Sequence, residues 1–355
     1  MRSLLVRAGA TAAWTAAVVS SAYAADPADT LLRAAQAART ATYQGVILYR
    51  GDDQFDVLKI QHSNKDGAER EHLVSLTGEP RQLLRTGNRL ICILPKDHMV
   101  SIDRPAGMKN FLSSFKPERL HQLAQWYDFV DQGKTRIAGR DCNGVAVKPR
   151  DQYRYGYEIW ADKDTGMPLK VSLVDQVGTV MEQVMFTEIS FPDAIDDAAF
   201  VEPKVDESQF RTVASNLPAL DASPAQNGGG DERPQLSFAQ LPPGFRVVVR
   251  EQRPLGGGQQ GNLEHLLLSD GISAVSVFSA VEQHSPEKTF QGVSHMGPVE
   301  AYGRTTGSYH ITIIGEVPLA TVRVIGDNVR PVFNEMPSET QPSSPPSGDG
   351  GGTLQ

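Results

Sequence analysis

Tyr43-Gln44-Gly45-Val46-Ile47-Leu48-Tyr49-Arg50, then the turn Gly51-Asp52-Asp53, then Phe55 to His62, decides the fold class of this chain. Both runs are rich in β-branched and aromatic residues, and Gly/Asp chemistry joins them, so the pair predicts an antiparallel hairpin. The pattern continues downstream. Asn64-Lys65-Asp66-Gly67 is the next turn, Glu69 to Leu76 the next strand, and Thr77-Gly78-Glu79-Pro80 the turn after it. Arg81 to Arg85, Arg89 to Leu94 and Met99 to Ile102 extend the series. Strands at about ten-residue spacing with Gly, Asn and Asp between them form a meander.

Upstream, Leu31, Leu32, Ala35 and Ala38 make an apolar stripe through an Ala-rich run, a helix that Asp29 or Thr30 can cap. Downstream, Pro105 to Lys116 breaks the strand pattern. A helix follows from Pro117, with Leu120, Leu123, Ala124 and Tyr127 at helical spacing. Strands resume at Phe129 to Ile137, Val145 to Lys148, Tyr153 to Ala161, Leu169 to Asp175 and Val180 to Ile189, and Pro192 to Phe200 reads as a short helix. The count predicts a large, strongly curved antiparallel sheet with helices covering one face, over residues 25–205.

Residues 206–235 lose apolar periodicity and contain Ser223-Pro224-Ala225-Gln226-Asn227-Gly228-Gly229-Gly230, which is linker chemistry. A small α+β domain is expected over 236–332. Its strands are Phe245 to Glu251, Leu263 to Ser269, Ile272 to Ala280, Val299 to Thr305 and Tyr309 to Glu316, with Ser269-Asp270-Gly271 as a tight turn and a helix over Pro318 to Val329. Residues 333–355 are rich in Ser, Pro and Gly, the composition of a disordered tail.

The first 24 residues carry Arg2 and Arg7, an apolar run from Ala8 to Val19, and Ala22-Tyr23-Ala24. That is the pattern of a secretory signal peptide cleaved before Ala25. There is no twin-arginine pair and no cysteine at the cleavage site, so ordinary export without a lipid anchor is expected. The whole chain carries 34 Lys+Arg against 42 Asp+Glu, a net charge of −8. An acidic chain without a basic cluster is a poor match for nucleic acid, whose affinity rests on phosphate neutralisation. Two cysteines remain, Cys92 and Cys142, both at strand-like positions. In an exported protein they invite a disulfide, which over a loop of about 50 residues is worth roughly 3–4 kcal/mol in the chain-entropy model; the alternative is two separate buried thiols.

Motifs for catalysis are missing. Gly292-Val293-Ser294-His295-Met296-Gly297 misses the nucleophile-elbow spacing by one residue and reads as a surface loop. No HExxH occurs, so no zinc site is expected. Asp162-Lys163-Asp164-Thr165-Gly166 starts like a calcium loop, but Leu173 stands where the closing Glu belongs, so it reads as a hairpin turn. No cofactor and no enzymatic activity are expected. Two apolar features suit a binding role instead. Tyr153, Tyr155, Tyr157 and Ile159 alternate along one strand face, either as packing or as a groove wall. Met108, Phe111, Leu112 and Phe115 fill the Pro-flanked break, either as a flap over an apolar cavity or as a core plug.

Several stretches together resemble the RseB/MucB family of sigma-E regulatory proteins. They are Tyr43 to Arg50, Glu71 to Leu76, Cys92-Ile93-Leu94-Pro95, Tyr153 to Tyr157 with Trp160 to Gly166, and Phe186 to Ile189. In the second domain they are Leu241 to Phe245, His265-Leu266, Ala274 to Phe278, Ala301 to Arg304 and Ile314 to Pro318. The resemblance implies a large domain similar to LolA and LolB, an unclosed half-barrel with helices on its concave face. It implies a periplasmic protein that binds the periplasmic part of a RseA/MucA-like anti-sigma factor, blocks its proteolysis, and releases it on meeting a lipid or lipopolysaccharide-like signal. On that reading Met108, Phe111, Leu112, Phe115, Tyr155 and Tyr157 would meet the lipid. Tyr302 and Arg304, alternating around Gly303, would anchor the protein partner; the alternative for that pair is a buried Tyr and a solvated Arg. A periplasmic lipid or lipoprotein carrier is the competing function, and self-association is left open.

Overall fold

The computed structural model describes residues 26–332 except 52–53, 66, 88, 97–98, 104–111, 113, 203–210, 215–234, 255–261 and 282–289. The expected leader, most of the expected linker and the tail lie outside the described residues.

Helix α1 (Pro27–Thr40) starts earlier than its apolar stripe predicts. Asp26 is its cap, accepting a hydrogen bond from the Ala28 N–H at 2.9 Å, and Pro27 fills the first turn, where no N–H is needed. Asp29 sits in the first turn and Thr30 is buried, so neither caps the helix. The meander follows as β1 (Tyr43–Gly51), β2 (Gln54–Lys65), β3 (Ala68–Ser75), β4 (Gln82–Thr86), β5 (Arg89–Leu94) and β6 (Met99–Asp103). Helix α2 (Pro117–Leu123) is shorter than expected, because Tyr127 already belongs to β7 (Tyr127–Ile137). Next come β8 (Arg140–Pro149), β9 (Gly156–Asp162), β10 (Pro168–Val174) and β11 (Val180–Ser190), then a single 3-10 turn, Asp197–Phe200.

These strands form one sheet with the order β12-β6-β5-β4-β3-β2-β1-β11-β10-β9-β8-β7. It is two meanders joined at the middle, where β1 pairs with β2 on one side and with β11 on the other. Its ends do not meet, so the large domain is an unclosed half-barrel, with α1 laid against β7 to β10. Strand β12 (Arg211–Ala214) corrects the reading of 206–235 as linker throughout: it pairs in parallel with β6. A four-residue strand of this kind carries too little periodicity to stand out in a sequence.

The small domain holds β13 (Gln235–Phe238), β14 (Arg246–Pro254), β15 (Asn262–Ser269), β16 (Ala274–Val281), β17 (Gly292–Met296), β18 (Val299–Thr306), β19 (Tyr309–Glu316), α3 (Leu319–Asn328) and β20 (Val329–Val332). Six strands form a sheet in the order β14-β15-β16-β19-β18-β17, and β13 pairs with β20. Its core joins Val275, Val277, Ile311 and Ile313 from the sheet to Val322 and Ile325 from α3. The stretch expected as a surface loop at 292–296 is strand β17, with each residue exposed at the sheet edge.

Candidate functional site

The pleat of β1 to β5 sends alternate side chains to the concave face. Ile47 stands opposite Leu58 on one side and Phe186 on the other. Ile60 stands opposite Leu73, Leu73 opposite Leu83, and Leu83 opposite Cys92. These residues, with Tyr49, Leu90, Leu94 and Val184, line a cavity of about 540 Å³ that Ala38 of α1 and Leu112 help to close. That volume lies within the range of small-molecule and lipid sites.

One wall of the cavity is charged. Glu71, Arg81, Gln82 and Arg85 reach it from β3, β4 and the turn between them. Glu71 is buried, and Arg85 is held by Glu69, with its Nη2 2.9 Å from Oε2 and its Nη1 donating to Oε1 at 3.0 Å. His62 is wholly buried beside them, Nδ1 at 2.7 Å from the Ala41 carbonyl and Nε2 at 3.1 Å from Glu69 Oε1. Tyr43 stacks on this ring at 4.7 Å, and burial, reinforced by the Glu69 charge, pushes its hydroxyl above the usual tyrosine range. An apolar chamber with charge at one wall suits an amphiphile whose chain is buried and whose head group meets the charged side. Each buried methylene is worth about 0.8 kcal/mol.

The expected ligand residues fare unevenly. Leu112 lines the cavity and is also part of the core. Phe115 is core, buried against Phe129 at 6.2 Å in an edge-to-face contact, so it plugs rather than gates. Met108 and Phe111 lie outside the described residues. Tyr155 and Tyr157 are buried among the residues under α1 and do not line the cavity, a correction to the expected groove wall. The strand starts only at Gly156: Asp151 accepts from the Tyr153 N–H at 2.9 Å, and that turn keeps Tyr153 and Tyr155 out of β9.

The expected disulfide is likewise corrected: Cys92 and Cys142 are not bonded to each other. Cys92 faces the cavity from β5, whereas Cys142 stands on β8 opposite Asp162 of β9, and β4, β3, β2, β1, β11, β10 and β9 lie between the two strands in the sheet. Strand propensity placed both in one sheet but says nothing of the distance across it.

Tyr302 and Arg304 do project from one face of β18, and α3 covers that face. The Tyr302 hydroxyl donates to Asp327 Oδ1 at 3.0 Å. Arg304 donates to the Gly326 carbonyl at 3.0 Å and to the Thr306 hydroxyl. Both residues are engaged inside their own domain.

The sequence reading missed the seam between the domains. The Arg154 side chain is fully buried, with Nε 3.4 Å from Asp270 Oδ2 in the small domain and 3.3 Å from Asp151. Its Nη2 donates to the Pro243 carbonyl. The guanidinium lies over the rings of Trp126, Tyr127 and Phe245 at 5.2, 5.5 and 5.4 Å. Tyr127 donates to Asp270 Oδ2 at 2.9 Å, and Asp270 Oδ1 accepts from the N–H groups of Ile272 and Ser273. Thr321 closes the seam by donating to the Tyr153 carbonyl at 2.6 Å. Gly244 permits this approach, since a Cβ there would stand 2.6 Å from Trp126. The available signals were a polar Arg154 inside an aromatic run and an Asp in a hairpin turn, and neither announces a partner in another domain.

Among the described residues there is no cluster of His, Cys, Asp and Glu arranged to hold a metal ion.

Comparison with known proteins covers the same two units. The family model described as the MucB/RseB N-terminal domain matches residues 26–204, and that described as the MucB/RseB C-terminal domain matches 231–330. The chain is 31% identical over 319 residues to the sigma factor AlgU regulatory protein MucB of Pseudomonas aeruginosa, covering 88% of this chain and 93% of that protein. It is 30% identical over 274 residues to the sigma-E factor regulatory protein RseB of Salmonella typhimurium, covering 77% of this chain and 80% of that one. The solved Pseudomonas aeruginosa MucA/MucB complex contains a chain that superposes with a TM-score of 0.65 at 27% identity, covering 87% of this chain and all of that one.

Proposed function

The chain belongs to the MucB/RseB family, and on that premise we propose that it is a periplasmic negative regulator of an envelope-stress sigma factor. It binds the periplasmic segment of a membrane anti-sigma factor, shields that segment from proteolysis, and lets it go when an acyl-chain ligand of lipid or lipopolysaccharide type arrives. The observation that carries this reading is the likeness, over 87% of this chain and both domains, to a chain of the solved Pseudomonas aeruginosa MucA/MucB complex. The concave cavity supplies the ligand half of the reading: its walls are apolar, and Arg81 and Arg85 stand on the side where an anionic head group would rest. A ligand that releases a partner must bind the partner-free state more tightly than the partner-bound state.

The test is a cleavage assay with three purified parts: the full chain, the anti-sigma periplasmic segment, and the protease that cuts it. The chain slows cleavage, and micellar lipopolysaccharide restores it. Cleavage at an unchanged rate in the presence of saturating chain overturns the reading. The same cavity also favours a lipid or lipoprotein carrier, which would move an acylated protein between membranes and leave cleavage of the anti-sigma segment untouched.

A further inference from the structure

Sheet edges expose unpaired backbone groups, and proteins protect them with charges, prolines, bulges or very short strands. Three of the four sheet ends in the two large sheets show such devices. Strand β7 carries Asp128, Asp131, Lys134 and Arg136 and has a bulge between Asp131 and Gly133. Strand β14 carries Arg246, Arg250 and Glu251, ends in Pro254, and has a register shift between Val247 and Val249. Strand β12 is only four residues long. Strand β17 differs. Gly292-Val293-Ser294-His295-Met296 has no Lys, Arg, Asp, Glu or Pro, pairs with β18 without a register break, and is exposed at every position. Met296 is 76% exposed, and Val293 and neighbouring Phe290 are also exposed.

We propose that β17 is a strand-addition site that takes an extended, uncharged stretch of a partner polypeptide as a seventh strand of the small-domain sheet. The row of backbone N–H and C=O groups that follows Gly292 (φ 88°) is matched only by another extended backbone, and exposed Val293 and Met296 offer it one apolar contact on each face of the sheet. The occupant is the anti-sigma periplasmic segment, so the inference rests on the proposed function and gives that function a binding mode. The position of the edge favours this occupant. Met296 is paired with Val299 and Val299 with Glu316, and the chain leaving Glu316 leads to Thr321, which donates to the Tyr153 carbonyl of the large domain. One end of a strand added at β17 therefore lies at the end of the sheet that leads to the seam, where both domains can hold it. That matters because a five-residue edge is far smaller than a standard interface of about 1,600 Å².

The test is hydrogen exchange on the full chain, alone and with the anti-sigma periplasmic segment, together with affinities for three variants. In the complex, the backbone amides of 292–296 exchange at least tenfold more slowly. Ser294→Pro, which introduces a residue without an N–H on the edge strand, and the exposed-residue variants Val293→Lys and Met296→Lys each weaken binding at least tenfold. The lysine variants alter only exposed side chains, so they report even where the proline variant disturbs the sheet. Binding without protection of 292–296, or with full affinity in both lysine variants, overturns the strand-addition site and leaves the proposed function standing. Protection that grows with concentration of the chain alone assigns the edge to a second copy and also overturns it. Absence of any binding by the unmodified chain overturns the proposed function and the site with it.

Discussion

Arg154 Nε lies 3.4 Å from Asp270 Oδ2 across the seam between the two domains, and both side chains are fully buried. Arg154 is only partly satisfied: its Nε and Nη1 make no hydrogen bond. Burial pushes the Asp270 carboxyl above the usual carboxylate range, with the Arg154 charge working against that rise. Such a pair is costly to break from one side, because the surviving charge is left buried; the penalty is about 3–5 kcal/mol. Asp270→Asn is therefore expected to lower the melting temperature and to split a single thermal transition into two, one for each domain. Calorimetry checks this, and a single transition at the unaltered temperature would show that the seam does not couple the domains.

Buried tyrosines set an alkaline limit. Burial is the main cause that raises the hydroxyls of Tyr43, Tyr127 and Tyr157 above the ordinary value near 10. A raised folded-state pKa gives stability that is complete below the unfolded value and is lost as pH climbs toward the folded one. Stability should therefore hold up to about pH 10 and fall above it. Phenolate absorbance followed alongside circular dichroism should show these three groups ionising together with unfolding, while exposed tyrosines ionise earlier.

The thiols give a direct chemical check. Without reductant, the denatured chain should take up two equivalents of an alkylating reagent, one at Cys92 and one at Cys142. In the native protein Cys142 should resist, since burial is the main cause that pushes its thiol up to about 11 and the thiolate is the reactive form.

Filling the chamber should separate ligand binding from folding. Val184 and Leu83 face the cavity from β11 and β4. Val184→Trp or Leu83→Trp places an indole where a chain would lie, with a stability loss no larger than the roughly 1–3 kcal/mol of an overpacked core, because space is available. Titration with a fluorescent acyl ligand should show at least a tenfold loss of affinity. Undiminished binding in both variants would move the ligand elsewhere.

Arg304→Ala removes donors to the Gly326 carbonyl and the Thr306 hydroxyl. The expected cost is about 1–3 kcal/mol, since a buried acceptor at the end of α3 loses its partner. Denaturant unfolding measures this, and affinity for the anti-sigma segment under native conditions should change less than threefold.

How much of this was legible follows from the range over which each signal acts. The β1 to β5 meander was readable because alternation and turn chemistry are local. Ile47, Leu58 and Leu83 share the wall of one chamber because the sheet curves, and alternation within a single strand does not report that curvature. Tyr153 and Tyr155 have strand chemistry but obey the turn that Asp151 makes with the Tyr153 N–H. Arg154 and Asp270 meet only because two domains dock, and neither residue carries a local pattern that reports a distant partner. Separation across the sheet, which keeps Cys92 from Cys142, is likewise a property of strand order rather than of either strand.

The central pairing of β1 with β11 also fixes when the chamber comes into being. Ile47 cannot meet Phe186 until the last long strand of the large domain has been delivered. Local hairpins among β1 to β6 can form early, but contacts of such high sequence separation pay their loop-closure entropy first and arrive late. A chain that emerges amino end first therefore has its charged wall, Glu71 to Arg85, before it has a closed apolar space beside it. Until the two meanders are joined, the inner faces of β1 and β2 are uncovered, and the newly arrived chain is more prone to aggregate than the finished one.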